Sequence, residues 1–165
     1  MTSRLRPGIL AALAVLVLDQ ASKLWLLDVF DIGRRGAVRI TPFFDLVLAW
    51  NPGISFGWFQ NKSPLAQIAL MAVKAVAVIV LSVWMARSRT SLATVALGLI
   101  IGGAIGNAID RLAYGAVVDF ALLHAKIGGN TFNWYVFNLA DVAIVAGVAG
   151  LLYDSFLRVP AVKAP

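Results

Sequence analysis

The sequence has no cysteine, no glutamate and a single histidine. Without cysteine there is no disulfide framework, thiol nucleophile or thiolate metal ligand. One histidine excludes a histidine-rich metal site. Charge is scarce too: 13% of residues are charged, about half the usual share of roughly 25%. A soluble helical domain of 165 residues would carry many glutamates on its wet faces, so that class is excluded. An apolar content of 61% excludes disorder. What is present is the composition of a small integral membrane protein with a net charge of +6. Its eight acids are all aspartates, at positions 19, 28, 31, 45, 110, 119, 141 and 154.

Four apolar stretches are long enough to cross roughly 30 Å of hydrocarbon at about 1.5 Å per residue. They run over about 8–27, 65–86, 92–109 and 137–157, the second opened by Ser63-Pro64, a helix-start signal. The long connections are 28–63 and 110–136. An even number of spans puts both termini on one side. That side holds Arg4, Arg6, Arg87, Arg89, Arg158 and Lys163. The other holds Arg34, Arg35, Arg39, Lys62, Arg111 and Lys126, spread over much longer loops. The denser basic side faces the cytoplasm, so both termini are expected inside and both long loops outside. Arg4 and Arg6 before an apolar run also resemble a secretory signal, but no soluble mature domain follows. The basic residues form no stripe interleaved with aromatics, so nucleic-acid binding is not expected.

Val38–Trp50 is rich in β-branched and aromatic residues, Asn51-Pro52-Gly53 is a turn signal, and Ile54–Phe59 follows. This pattern predicts a small hairpin or sheet outside the lipid, with Trp50, Trp58 and Phe59 suited to the membrane–water interface.

Ionisable side chains inside a span cost roughly 2.5–3.5 kcal/mol on insertion scales and mark functional or paired sites. Asp19 and Lys23 lie four residues apart on one helix face and can pair. Lys74 lies within the second span, where it either snorkels or meets an acid on another helix. Gly98, Gly102 and Gly106 form a small-xxx-small face for close packing. Asn107, Asp110 and Arg111 share a face at the outer end of the third span, where an Asp–Arg pair beside an Asn reads as structural. Asp119 and Asp141 lie near the outer boundary, with Asn138 one turn before Asp141. His124 reads as a loop residue with no second histidine to share a metal.

Two carboxylates converging in a dehydrated site cannot both ionise easily, and they share a proton. Aspartic proteases use this arrangement. The residues alone leave Asp19, Asp110, Asp119 and Asp141 all open as members of the pair.

Five segments, in order, resemble the lipoprotein signal peptidases (signal peptidase II). They are DQASK (19–23), NPGISFG (51–57), GGAIGNAIDR (102–111), VVDF (117–120) and FNLAD (137–141). The resemblance covers essentially the whole chain. It implies a single all-α membrane domain of four transmembrane helices, with a small extracytoplasmic antiparallel β-sheet and a short interfacial helix. It implies an aspartic endopeptidase of the bacterial inner membrane that cuts diacylglyceryl-modified prolipoproteins just before the lipidated Cys. The catalytic pair would be Asp119 and Asp141. Asp19, Lys23, Asn51, Gly53, Gly103, Asn107, Arg111, Asn138 and Ala140 would be supporting or substrate-contacting, and Asp110 structural. Asn107 and Asn138 are candidates to hydrogen-bond the extended substrate. No metal or cofactor is implied. Membrane lipid is an expected partner, a cyclic peptide of the globomycin type an expected inhibitor, and the chain an expected monomer. The segment 125–136 lies outside the matching pieces. Two other functions compete: a small proton-coupled transporter, prompted by Asp19, Lys23 and Lys74, and a scaffold using the glycine face. Transport predicts polar residues spread through the depth of several helices and repeated halves, whereas here most of the critical polar residues cluster at one interface and no repeat is visible.

Overall fold

The computed structural model describes residues 2–53 and 64–157. The predicted strand at Ile54–Phe59, the interfacial Trp58 and Phe59 and the Ser63 helix signal lie outside the described residues. Helix α1 (Thr2–Leu24) continues into a π-helical turn, Trp25–Val29, and is followed by the single-turn α2 (Ile32–Arg35). Then come β1 (Val38–Thr41), β2 (Phe44–Asn51), α3 (Pro64–Arg87) and α4 (Ser91–Tyr114). The chain closes with β3 (Val117–Ile127), β4 (Asn130–Asn133) and α5 (Leu139–Leu157).

Among the described residues, three helical segments are long and apolar enough to cross a membrane: Leu5–Val29, Ser91–Tyr114 and Leu139–Phe156. The middle one is the keel of the bundle, with 56% of its span buried against 17% and 22% for the others. The small-residue face explains how α1 comes so close. A methyl at Gly98 would collide with the Gly8 carbonyl, and one at Gly102 with the Ala12 carbonyl. Without a hydrophobic drive between helices in lipid, such backbone contact is what holds them together.

Helix α4 starts with Thr90 as N-cap, its side chain accepting from the Ala93 amide at 3.1 Å. It ends at Gly115, whose φ of 73° supplies the left-handed C-cap. The apolar stretch over about 92–109 ends where charge begins, but the helix itself continues through the buried Asp110 and Arg111 and stops at Tyr114.

The sheet is antiparallel in the order β1-β2-β3-β4. It differs from the expected hairpin in two ways. The β1–β2 turn falls at Pro42-Phe43, not at Asn51–Gly53. The main partner of β2 is the distant β3, pairing Phe44 with Leu123 and Asn51 with Val117. The VVDF segment is therefore strand. His124 is not a loop residue either: it is buried in β3, with Nε2 3.2 Å from Asp45 Oδ1 on β2. A small apolar core of Leu26, Ile32, Phe120 and Ala121 seats the sheet at the C-terminal end of α1.

Candidate active site

Asp119 and Asp141 come together through backbone pairing. Phe137 bonds to Ala121 in both directions, at 3.0 and 2.8 Å. This fixes the residue before Asn138 against the strand that carries Asp119. Asn138 then starts α5 in a reciprocal capping box. Its Oδ1 accepts from the Asp141 amide at 3.0 Å, and Asp141 Oδ2 accepts from the Asn138 amide at 3.2 Å. Asp141 is thus held where it is by helix-start geometry.

Each oxygen of the two carboxylates accepts a hydrogen bond. Asp119 Oδ1 accepts from Asn138 Nδ2 at 2.7 Å, and its Oδ2 from Asn51 Nδ2 at 3.1 Å. Asp141 Oδ1 accepts from Asn107 Nδ2 at 3.0 Å. Asn138 Nδ2 also donates to Asn107 Oδ1 at 3.0 Å, so one amide chain links both acids. Asn51 reaches Asp119 because it pairs with Val117, two residues away on the same sheet face. Asp119 is 3% exposed. Burial pushes its carboxyl from the ordinary 3.8 up to about 6, and the nearby Asp141 charge adds to the rise. The hydrogen bonds from Asn51 and Asn138, and the Lys23 charge, oppose it.

Beneath this pair lies a second, sealed cluster. Lys23 uses its three donors on Asp19 Oδ2 at 2.8 Å, Asp110 Oδ2 at 2.7 Å and Asn107 Oδ1 at 3.1 Å. Asp19 Oδ1 accepts from the Ala140 amide at 3.0 Å in the first turn of α5. Asp110 accepts from the Val118 amide at 3.1 Å, next to Asp119. Lys23, Asp19 and Asp110 are all buried. The sequence suggested an Asp110–Arg111 pair, but Asp110 turns to Lys23. Arg111 instead donates to the Asn107 carbonyl at 2.9 Å and to the Gly53 carbonyl at 2.6 Å. Gly53 in turn donates its amide to Asn51 Oδ1 at 3.1 Å. Gly103 lets α4 approach the start of α5: an added methyl would lie 2.6 Å from the Ala140 carbonyl.

Asp119 and Asp141 line one cavity of about 180 Å³. Asn51, Asn107, Arg111 and Lys74 also face it. Asp19, Lys23, Asp110 and Asn138 support it from behind. One participant escaped the sequence reading, and the partner of a second was left open. Gln20 bridges Asp19, Asp110 and the Gly106 carbonyl at 3.2, 2.9 and 3.1 Å. Its signal was a polar amide within an apolar span. Lys74 was visible as an oddity, but nothing in the sequence said that it faces the two acids. Among the described residues no group of three or more metal-ligating side chains converges.

Apolar helices of spanning length, a small sheet at one end and a buried two-carboxylate site beneath it define a helical integral membrane protein with its chemistry near one end of the bundle. The sequence profile of Signal peptidase (SPase) II matches residues 11–157, and the chain belongs to that family of membrane peptidases. It is 73% identical over 161 residues to the lipoprotein signal peptidase of Nitrobacter hamburgensis, covering 98% of each chain. It is 68% identical over 160 residues to that of Rhodopseudomonas palustris, covering 97% of this chain and 98% of the relative. A solved bacterial membrane enzyme superposes with a TM-score of 0.75 at 26% identity, over 95% of this chain and 94% of that one.

Proposed function

We propose that the chain is an aspartic endopeptidase that removes signal peptides from diacylglyceryl-modified prolipoproteins, cutting just before the lipidated Cys. The observation that carries this is the pair Asp119 and Asp141, lining one cavity and joined through the Asn138 and Asn107 amides. Helix α3, at 24 residues, serves as the fourth span of a single membrane domain. Both termini lie in the cytoplasm, and the sheet and cavity lie at the outer face of the bacterial inner membrane. The peptide then enters from the lipid side while the acyl chains stay in the bilayer. The protein works as a monomer, without metal or cofactor, and a globomycin-type cyclic peptide binds across the two acids.

In the reaction the pair carries one proton. The ionised carboxylate takes a proton from water as its oxygen bonds to the scissile carbonyl carbon, and the protonated carboxyl hydrogen-bonds the carbonyl oxygen. When the tetrahedral intermediate collapses, the C–N bond breaks, the leaving amine takes a proton, and the pair returns to its single-proton state. Asn107 and Asn138 hold the acids, with Asn138 fully buried and its amide already committed. Arg111 ties the Asn51–Gly53 turn to α4. The test is cleavage of a lipid-modified prolipoprotein by the wild type, Asp119→Asn and Asp141→Asn in bilayers. Both variants should fold and lose at least about a thousandfold in rate; near-normal cleavage by either would exclude the pair.

A further inference from the structure

Lys74 is the ionisable residue of α3 that the site's hydrogen-bond scheme leaves unused. It lies ten residues after Pro64, about 15 Å along the helix, and α3 has no other ionisable residue before Arg87. It lines the cavity of Asp119 and Asp141, and its ammonium lies within electrostatic reach of Asp141 and Arg111. None of the described side chains hydrogen-bonds or ion-pairs with it. Lys23, by contrast, has all three donors engaged. Cα–Cβ bonds lean toward a helix N-terminus, and the N-terminus of α3 follows the outer loop. The side chain therefore leans outward, toward the two acids, with three donors and no acceptor.

The peptidase reading, on which this inference rests, supplies the missing acceptor. The substrate arrives as a helix in the membrane and must be extended at the bond that is cut. The helix then ends next to the two acids, and its last four carbonyls have no partners within it. Water would satisfy them at a wet surface, but hydrocarbon does not. A cation at that end also meets the negative pole of the helix dipole. We propose that Lys74 is a substrate-binding residue that caps the C-terminal end of the bound signal helix, holding the junction between helix and extended segment at the cavity floor.

The experiment compares wild type, Lys74→Met and Lys74→Arg in bilayer discs on two substrates. One is a diacylglyceryl prolipoprotein with its whole signal helix. The other is a diacylglyceryl lipopeptide carrying only the last few residues before the modified Cys. Lys74→Met should raise KM about tenfold on the long substrate, within the range of a helix-end cation. The KM rise should be confined to the long substrate, any change in pH profile from losing a cation near Asp141 should be the same on both substrates, and Lys74→Arg should restore the long-substrate KM. An equal rise in KM on both substrates, or no change on the long substrate, would each overturn the assignment. If Lys74→Met does not fold, Lys74→Gln serves with a smaller expected rise and the same overturning outcomes. Failure of the peptidase reading shows separately, as uncleaved long substrate with wild type or normal cleavage by Asp119→Asn.

Discussion

Replacing Asn138 tests whether one amide both starts a helix and organises the acids. Asn138→Ala removes the N-cap of α5, which is worth about 1 kcal/mol. It also takes the 2.7 Å donor from the buried Asp119 Oδ1, a loss of about 2 kcal/mol for an unsatisfied buried acceptor. Asn107 Oδ1 loses one donor but keeps Lys23, so it adds little. The expected sum is about 3 kcal/mol. For a chain of this size each kcal/mol moves the thermal midpoint by about 2–4 °C, so Asn138→Ala should melt about 6–12 °C lower. Asn138→Ser separates the two parts: serine caps as well as asparagine but is too short to span to Asp119, so it should retain about 1 kcal/mol. Tryptophan fluorescence of the purified variants in micelles gives the midpoints, and cleavage of a prolipoprotein gives the activity, which should fall in both variants. If Ser melts with Ala, the capping box contributes nothing. If both melt within about 2 °C of wild type, the amide bridge contributes nothing and the reasoning about Asp119 fails.

Two more expectations concern pH and packing. Asp119 sits at about 6 when folded against 3.8 when unfolded, so folding retains a proton between these values. Its contribution to stability is complete below about 4, fades as pH rises through that window and is lost above about 6; Asp119→Asn should flatten this slope in unfolding measured from pH 4 to 7. A methyl at Gly106 would lie 2.5 Å from Asp19 Oδ2, so Gly106→Ala should lower both the melting midpoint and the cleavage rate, whereas retention of both would show that α1 and α4 can separate at no cost.

The parts of this fold set by local chemistry were readable in advance. Spanning helices announce themselves by length and apolarity, and the Gly98–Gly106 face by its spacing. The sheet was readable in part: β1 and β2 fall within the Val38–Trp50 stretch expected to form one, but the pairing of β2 with β3 was not, because it spans some seventy residues of sequence. Asp110 and Arg111 were read as a structural pair at the end of the third span, but their partners come from elsewhere in the chain, on α1 and at Gly53, which spacing along one helix does not show. From the residues alone four aspartates stayed open. Asp19 and Asp110 separate from the others only when Lys23 is seen between them. The resemblance to signal peptidase II singled out Asp119 and Asp141, and the structure supplies the reason they can meet: the Phe137–Ala121 pairing.

The capping box of α5 joins assembly to reactivity. The carboxylate that would take part in hydrolysis is also the one that closes the first turn of its own helix. A chain in which that turn has frayed therefore lacks a poised acid even while its helices stay packed. Agents that loosen the first turn of α5 will abolish chemistry well before the helices part.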